Sequence, residues 1–527
     1  MWGLRSSRTV ILGLATVVFV FACFLPLLYM IALSLEPGSV ARTYRVLLLD
    51  ARQRDLLYNS AALGGGAALL STVLGVPLGV GLAWLAIPCK RLFRLALVAP
   101  LLLPPYVVGL AWIYLGSSTG IVATVAGRDF LSEWTYSLSA AIAVLGLVYY
   151  PLSMLATEVA VRRVDARLEE AALLVAPPGR VFAKITLPLA APAIGAAALV
   201  IFVLAVSDFG VPGLLRVRVF TTEVFTAFSA LYDFGRATAL TVPLMVLATI
   251  VAVVATALVG DRLVAGRRAL GGSRPLGFDR WRITISLFGA VVLIAALAMP
   301  LAVLVREALG AESIATVVRG SWSAIQASIM LAAIGATLVV AIAVWLGYAR
   351  ARAGLVVGRL ADVLFVVLFA VPSTVVGVGL IGLWNRAGPF GQLYATDAML
   401  LLAYLARFVP VAALVLAASV RQVPVSHEEA AAVAGAGWLR TVFRIVMPQA
   451  KLGILAAWIV AFILSFGELG ASVLVAPPGE STLPIRIYTL IANTPSSHVA
   501  ALALLQAAVI FGPLAVLGLA TRSREVG

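Results

Sequence analysis

Two carboxylates stand at matching places in this chain. Asp208, in VSDFG, follows Pro188 by 20 residues, and Glu468, in FGELG, follows Pro448 by 20. As helix, each interval covers ~30 Å, which is the thickness of a hydrocarbon core. Each acid therefore falls near the outer end of an apolar segment. Acids at membrane depth are costly and point to function by default. One reading is that the pair lines the outer mouth of a path. A carboxylate is a hard oxygen ligand suited to a hard cation, and it would repel an anion. The other reading is an interfacial carboxylate that is solvated or caps a neighbouring helix.

Other chemistry is sparse. A nucleotide-binding P-loop needs GxxxxGK[ST], because its lysine reaches the phosphates. Lys90, Lys184 and Lys451 are followed by Arg, Ile and Leu, so none fits. GVGLIG at Gly377–Gly382 spells GxGxxG but lies inside an apolar segment with no strand before it, where small residues serve helix packing. His427 and His498 are the only histidines, and HEEAA lacks the second histidine of HExxH. Cys23 and Cys89 show no CxxC spacing. No nucleophile–base set is present. The chain is expected to be no enzyme, to bind no cofactor and to hold no firmly assigned metal.

The elements that must position these acids are helices. Of 527 residues, 62% are hydrophobic and 12% charged, against about 25% charged in soluble proteins; mean hydropathy is +1.09. Continuous apolar runs of ~20 residues recur, unlike the alternating ~10-residue strands of a membrane β-barrel. Twelve spans are expected: 10–35, 57–87, 92–116, 136–157, 187–207 and 237–260, then 283–305, 322–349, 358–384, 398–420, 447–467 and 497–520. The first run is too long for a signal-peptide core of 7–15 residues and reads as an uncleaved span.

The net charge is +15. Both termini and the even-numbered loops carry 25 of the Lys and Arg, the odd-numbered loops 12, and Arg407 falls inside a span. That bias places both termini in the cytoplasm. Charge spread over short loops also argues against nucleic acid as a partner.

The halves repeat. Glu169-Glu170 matches Glu428-Glu429 at an offset of 259. At 260, Arg180 matches Arg440, Lys184 Arg444, Pro188 Pro448, and Asp208 Glu468. Pro104 and Gly109 match Pro372 and Gly377 at 268. Six spans per half is an even number, so both halves insert the same way and can pack about a pseudo-twofold axis along the membrane normal, where a path would run.

Between the fourth and fifth spans of each half lies a helix–break–helix. Glu428 to Val433 is a good helix former with acids in its first turn, where the dipole favours them. Gly435 and Gly437 interrupt it; Arg440 and Arg444 then share a face, and Pro448 opens the next span. The Ala430-Ala431 face would let another surface come close. One such loop could be an amphipathic segment near lipid headgroups; two at matching places, each leading to an acid, argue for a shared task.

Glu429-Ala430-Ala431, Gly435, Ile445 and Met447-Pro448 resemble the EAA loop of ATP-binding-cassette importer permeases, in which the last pair is usually Leu-Pro. Glu170-Ala171-Ala172, Ile185 and Leu187-Pro188 are similar, but this copy is one residue shorter and has VAPPG where the glycine is expected. The whole chain resembles the fused iron(III)-type permeases, a group related to thiamine and phosphonate permeases. That resemblance implies an all-α integral membrane protein of two tandem six-helix type I importer halves. They would be 1–260 with a loop at 165–188, a cytoplasmic linker 261–282, and 283–527 with a loop at 424–448. It implies that Glu170, Ala171, Ala172, Glu429, Ala430, Ala431 and Gly435 dock a cytoplasmic ATP-binding-cassette ATPase, present in two copies, which consumes the ATP. It also implies a periplasmic or extracellular solute-binding protein and a place in the bacterial inner membrane. Ferric iron is the expected solute; thiamine, a phosphonate or another small solute are the alternatives. An ion-coupled secondary transporter is a more distant one, and would leave both loops unexplained.

Overall fold

A computed structural model describes residues 2–34, 51–117, 131–231, 234–259, 281–310, 314–386, 388, 391–479 and 481–522. Residues 261–280 of the expected linker lie outside this set. Every element among the described residues is helical. Among the described residues, eight helices are long and apolar enough to cross a membrane, or up to 11 if each of three bent pairs counts as one span. The last expected span falls on the helix Ser496–Arg522. The chain is a multi-pass, all-α membrane protein.

Three expected spans are not straight. The third of the first half is Lys90–Leu102 followed by Pro105–Gly116, bent by 89°; its counterpart, Leu355–Ala370 and Ser373–Trp384, is bent by 88°. The cause is local. A residue before proline is pushed out of the helical region. Leu103, before Pro104, sits at φ −73°, ψ 136°, and Val371, before Pro372, at φ −63°, ψ 127°. In the fifth span of the second half, Trp438–Gln449 and Lys451–Phe466 meet at 75°.

Four other prolines lie within a helix and do not start it. Pro26, Pro188, Pro300 and Pro448 each follow a five-residue π-helical turn that ends two residues earlier. Proline removes an i→i−4 bond and crowds the carbonyl behind it. The widened turn already uses i→i−5 bonds, such as Leu187 N–H to Phe182 O. Pro188 therefore lies inside one helix from Pro178 to Ser207 and does not open it.

The halves exchange their first spans. Phe19 packs edge-on to Phe365 with centroids 5.6 Å apart, Phe21 to Trp384 at 5.7 Å, and Cys23 Sγ donates to Leu405 O at 3.7 Å. In the other direction, Val292 and Ala296 join Leu78, Leu82, Leu97 and Tyr150 in one core cluster. Contact there is tight: a methyl on Gly289 would lie 2.5 Å from the Phe93 ring. The largest core cluster likewise draws on both halves, from Tyr106 and Phe209 to Leu405 and Phe466.

Candidate functional site

The first loop begins with the helix Ala166–Leu173, capped by Asp165, whose carboxylate accepts from Arg167 N–H at 3.0 Å. The second begins with Val425–Val433. They end differently. Gly435 has φ +79°, Ala436 N–H reaches back to Ala431 O at 2.9 Å and Gly435 N–H to Ala432 O at 3.0 Å. This is the Schellman ending, in which glycine bears the left-handed residue. The first copy has no such glycine; Pro177 follows the helix instead. Both then re-enter helix from the same backbone conformation: Pro177 at φ −68°, ψ 154° and Gly437 at φ −70°, ψ 155°. The missing residue and glycine are absorbed before that point.

Within each acid pair the first member is an internal anchor. Glu169 is 2% exposed and accepts from Thr186 Oγ1 at 2.7 Å. Burial pushes its carboxyl above the ordinary value, against the lowering effect of the Thr186 hydrogen bond. Glu428 accepts from Arg352 Nε at 2.7 Å and from the Tyr348 hydroxyl at 2.8 Å. The second members, Glu170 and Glu429, are exposed. Ala171 and Ala430 are also exposed, Ala172 is half-buried, and Ala431 turns inward. The open face thus carries one alanine of each pair together with an apolar tip that the sequence reading passed over. Leu174 is 86% exposed and its counterpart Val433 91%. A bulky apolar residue closing a short polar-flanked helix was the available signal.

At the far ends of the fifth spans, Asp208 and Glu468 do the same local work. Asp208 Oδ1 accepts from Val211 N–H at 2.8 Å, and Glu468 Oε1 from Ala471 N–H at 2.8 Å. Each caps the short helix that follows. Glu468 is only 8% exposed, so simple solvation does not describe it. The two acids stand on either side of the contact between the halves: Phe209, next to Asp208, packs on Gly470, two residues after Glu468. Arg407, from the fourth span of the second half, pairs with Glu468: its Nε lies 3.5 Å from Glu468 Oε2, and its Nη1 donates to Val371 O at 2.9 Å. Val371 is the residue at the bend, where helix carbonyls end and a cation is favoured. Sequence had marked Arg407 as a cation inside a span but could not supply its partner, 61 residues away.

Comparison with known proteins follows the same division into halves. The family model for the binding-protein-dependent transport system inner membrane component matches twice, over residues 75–267 and 340–521. The chain is 25% identical over 481 residues to the Fe(3+)-transport system permease protein FbpB 2 of Haemophilus influenzae, covering 88% of this chain and 89% of that protein. It is 22% identical over 444 residues to the ferric transport system permease protein FbpB of Actinobacillus pleuropneumoniae, covering 79% and 64%. It is 32% identical over 146 residues to the molybdenum transport system permease protein ModB of Escherichia coli K12, covering 27% and 64%.

Proposed function

The chain belongs to the family of binding-protein-dependent transport system inner membrane components, and from that premise we propose that it forms the whole membrane path of a ferric-iron importer. Membership makes it a transport permease of an ATP-binding-cassette importer, carrying both halves in one chain. The observation that carries the cation reading is the placement of Asp208 and Glu468 beside the contact between the halves, where Phe209 packs on Gly470. Two carboxylates of hard oxygen suit a hard cation, and the relative matched over most of both chains is named for Fe(3+) transport.

The coupling route is continuous. A cytoplasmic ATPase would seat Glu170 and Leu174 in one copy and Glu429, Ala430 and Val433 in the other. Behind the first loop, one helix of 30 residues runs from Pro178 to Ser207, next to Asp208. Behind the second, the path bends at Ala450 before reaching Glu468. A nucleotide-driven shift at the loops would thus be delivered to both acids, favouring whichever state the nucleotide binds better. A solute-binding protein would release its cargo at the acids' side. Both termini and the linker would face the cytoplasm; an impermeant thiol reagent should leave Ser273→Cys unlabelled in intact cells and label it after lysis.

The test is uptake of radiolabelled ferric iron by cells expressing the chain with its ATPase and binding protein. Asp208→Asn with Glu468→Gln should cut uptake while sparing assembly and basal ATP hydrolysis. Wild-type uptake by that double variant would remove the acids from the path. A small oxyanion is the second reading, because Arg407 stands at the same place and one partial relative is named for molybdenum transport. Saturable molybdate uptake without iron uptake would select it.

A further inference from the structure

The two bends are alike in backbone but not in chemistry. The elements that pack together at the second carry Thr374, Tyr404, Arg407, Ser465 and Ser472. By the repeat offsets their counterparts around the first are Tyr106, Leu145, Val148, Ala205 and Pro212. Four of these five cannot donate a side-chain hydrogen bond, and the hydroxyl of Tyr106 is taken up by Gln506. In the second half, by contrast, Thr374 Oγ1, Ser465 Oγ and Ser472 Oγ are buried without a hydrogen-bond partner. Unsatisfied buried polar atoms in a native protein call for an explanation.

The ion pair is also incomplete. Arg407 Nε makes no hydrogen bond; it faces Glu468 Oε2 at 3.5 Å. Glu468 is held by its other oxygen, through Ala471 N–H. Arg407 has a second attachment of its own, on Val371 O. When the pair parts, each group keeps one hydrogen-bond partner, Ala471 N–H for Glu468 and Val371 O for Arg407, and the buried carboxylate then needs another positive partner.

We propose that the translocated cation passes through a site belonging to the second half alone, on Glu468 Oε2, the oxygen that faces Arg407, and that Arg407 is the resident counter-charge it displaces. The proposal rests on the cationic-substrate reading above. When the cation arrives, Glu468 exchanges one positive partner for another, and Arg407 keeps its hold on the bend. Such a site is weak by construction: Arg407 competes for it. Among the described residues no group of three or more His, Cys, Asp or Glu could hold a metal firmly. Passage needs a site that admits the ion and lets it go.

Terbium(III), a hard trivalent cation without redox chemistry here, is the probe. Its sensitised luminescence would be titrated on the full chain, co-purified with its ATPase, in lipid nanodiscs. Arg407→Gln should tighten terbium binding at least about tenfold, the effect of losing one modest charge competitor. Glu468→Gln should abolish that binding, and Asp208→Asn should leave it within about threefold of wild type. Arg407→Lys, which keeps the competing charge, should behave as wild type. Unchanged affinity in Arg407→Gln that still co-purifies with the ATPase overturns the proposal. So does loss of binding in Asp208→Asn with retention in Glu468→Gln. If Arg407→Gln does not assemble, that last pair still decides. Absence of ferric-iron uptake by wild-type cells would defeat the iron reading separately, whatever terbium reports.

Discussion

Ser207 in the first half donates its hydroxyl to the carbonyl of Ala370 in the second, at 3.1 Å. Its repeat counterpart, Gly467, lies against Pro104 of the first half. Each residue immediately precedes its half's acid, and each rests on the other half's bent span. The two halves thus meet by a reciprocal pair of contacts, as an approximate twofold requires, and a shift at either bend reaches the opposite acid.

Gly467 should be the less tolerant of the two. A methyl there would lie 2.9 Å from Pro104 Cγ, part of a rigid ring, and 3.4 Å from Ile463 O. Its backbone, φ −94° and ψ −1°, suits any residue, so the cost is crowding alone. Gly467→Ala should destabilise the chain by about 1–3 kcal/mol. Ser207→Ala should cost about 0.5–1.5 kcal/mol. Thermal unfolding in detergent would rank them; equal midpoints for Gly467→Ala and wild type would contradict the packing.

Gly435 poses the opposite problem. A methyl meets nothing within 4 Å, but φ is +79°. Gly435→Ala should cost about 1 kcal/mol through backbone strain, seen as faster amide exchange at Gly435 and Ala436. Ala176→Gly in the first copy, where Pro177 ends the helix, should leave exchange there nearly unchanged.

The exposed faces predict the docking residues. Glu429→Arg and Val433→Asp should each weaken co-purification with the ATPase and lower transport while membrane insertion persists. Leu174→Asp should do the same on the first copy, since its re-entry geometry matches the second. Full ATPase recovery with all three variants would separate these loops from docking.

Glu169 should respond to pH. Its carboxyl is raised above the ordinary value by burial, and Oε2 has no hydrogen-bond partner. For an acid raised in the folded state, the charged form carries the penalty. The loop is then most stable below the ordinary carboxylate value and loses stability as pH rises through the folded one. Glu169→Gln keeps an acceptor for Thr186 without the charge. It should slow amide exchange in 166–173 at pH 7, relative to wild type, and reduce the difference between pH 4 and pH 7. A variant that exchanges faster at pH 7 would reverse the sign.

Much of this architecture was legible in the sequence because it rests on local rules. Apolar run length gave the helices, and the repeat offsets paired Pro104 with Pro372 and Asp208 with Glu468 before any geometry. The bends of 89° and 88° were not read, because hydropathy continues across Leu103-Pro104 and Val371-Pro372 although the backbone does not. Pro448 was read as opening the next span because proline is favoured there; the preceding π turn is a hydrogen-bond pattern that hydropathy does not register. Glu170 and Glu429 were singled out from their pairs by resemblance, and both are exposed, yet Glu169 and Glu428 anchor the loops through Thr186 and Arg352. Partners that far along the chain leave no spacing signal. The role of Arg407 was hidden for the same reason.

The exchanged first spans bear on how the protein is made. Cys23 meets Leu405, 382 positions later, and at about 5–20 residues per second that partner emerges tens of seconds after the first span. Until then the first span faces lipid, or a provisional neighbour, with its packing surface uncovered. The first half cannot finish folding before the second is synthesised, so a nascent chain truncated after residue 260 should be a substrate for membrane quality control rather than half a transporter. Joining the halves covalently makes that waiting period finite, because the missing surface arrives on the same ribosome.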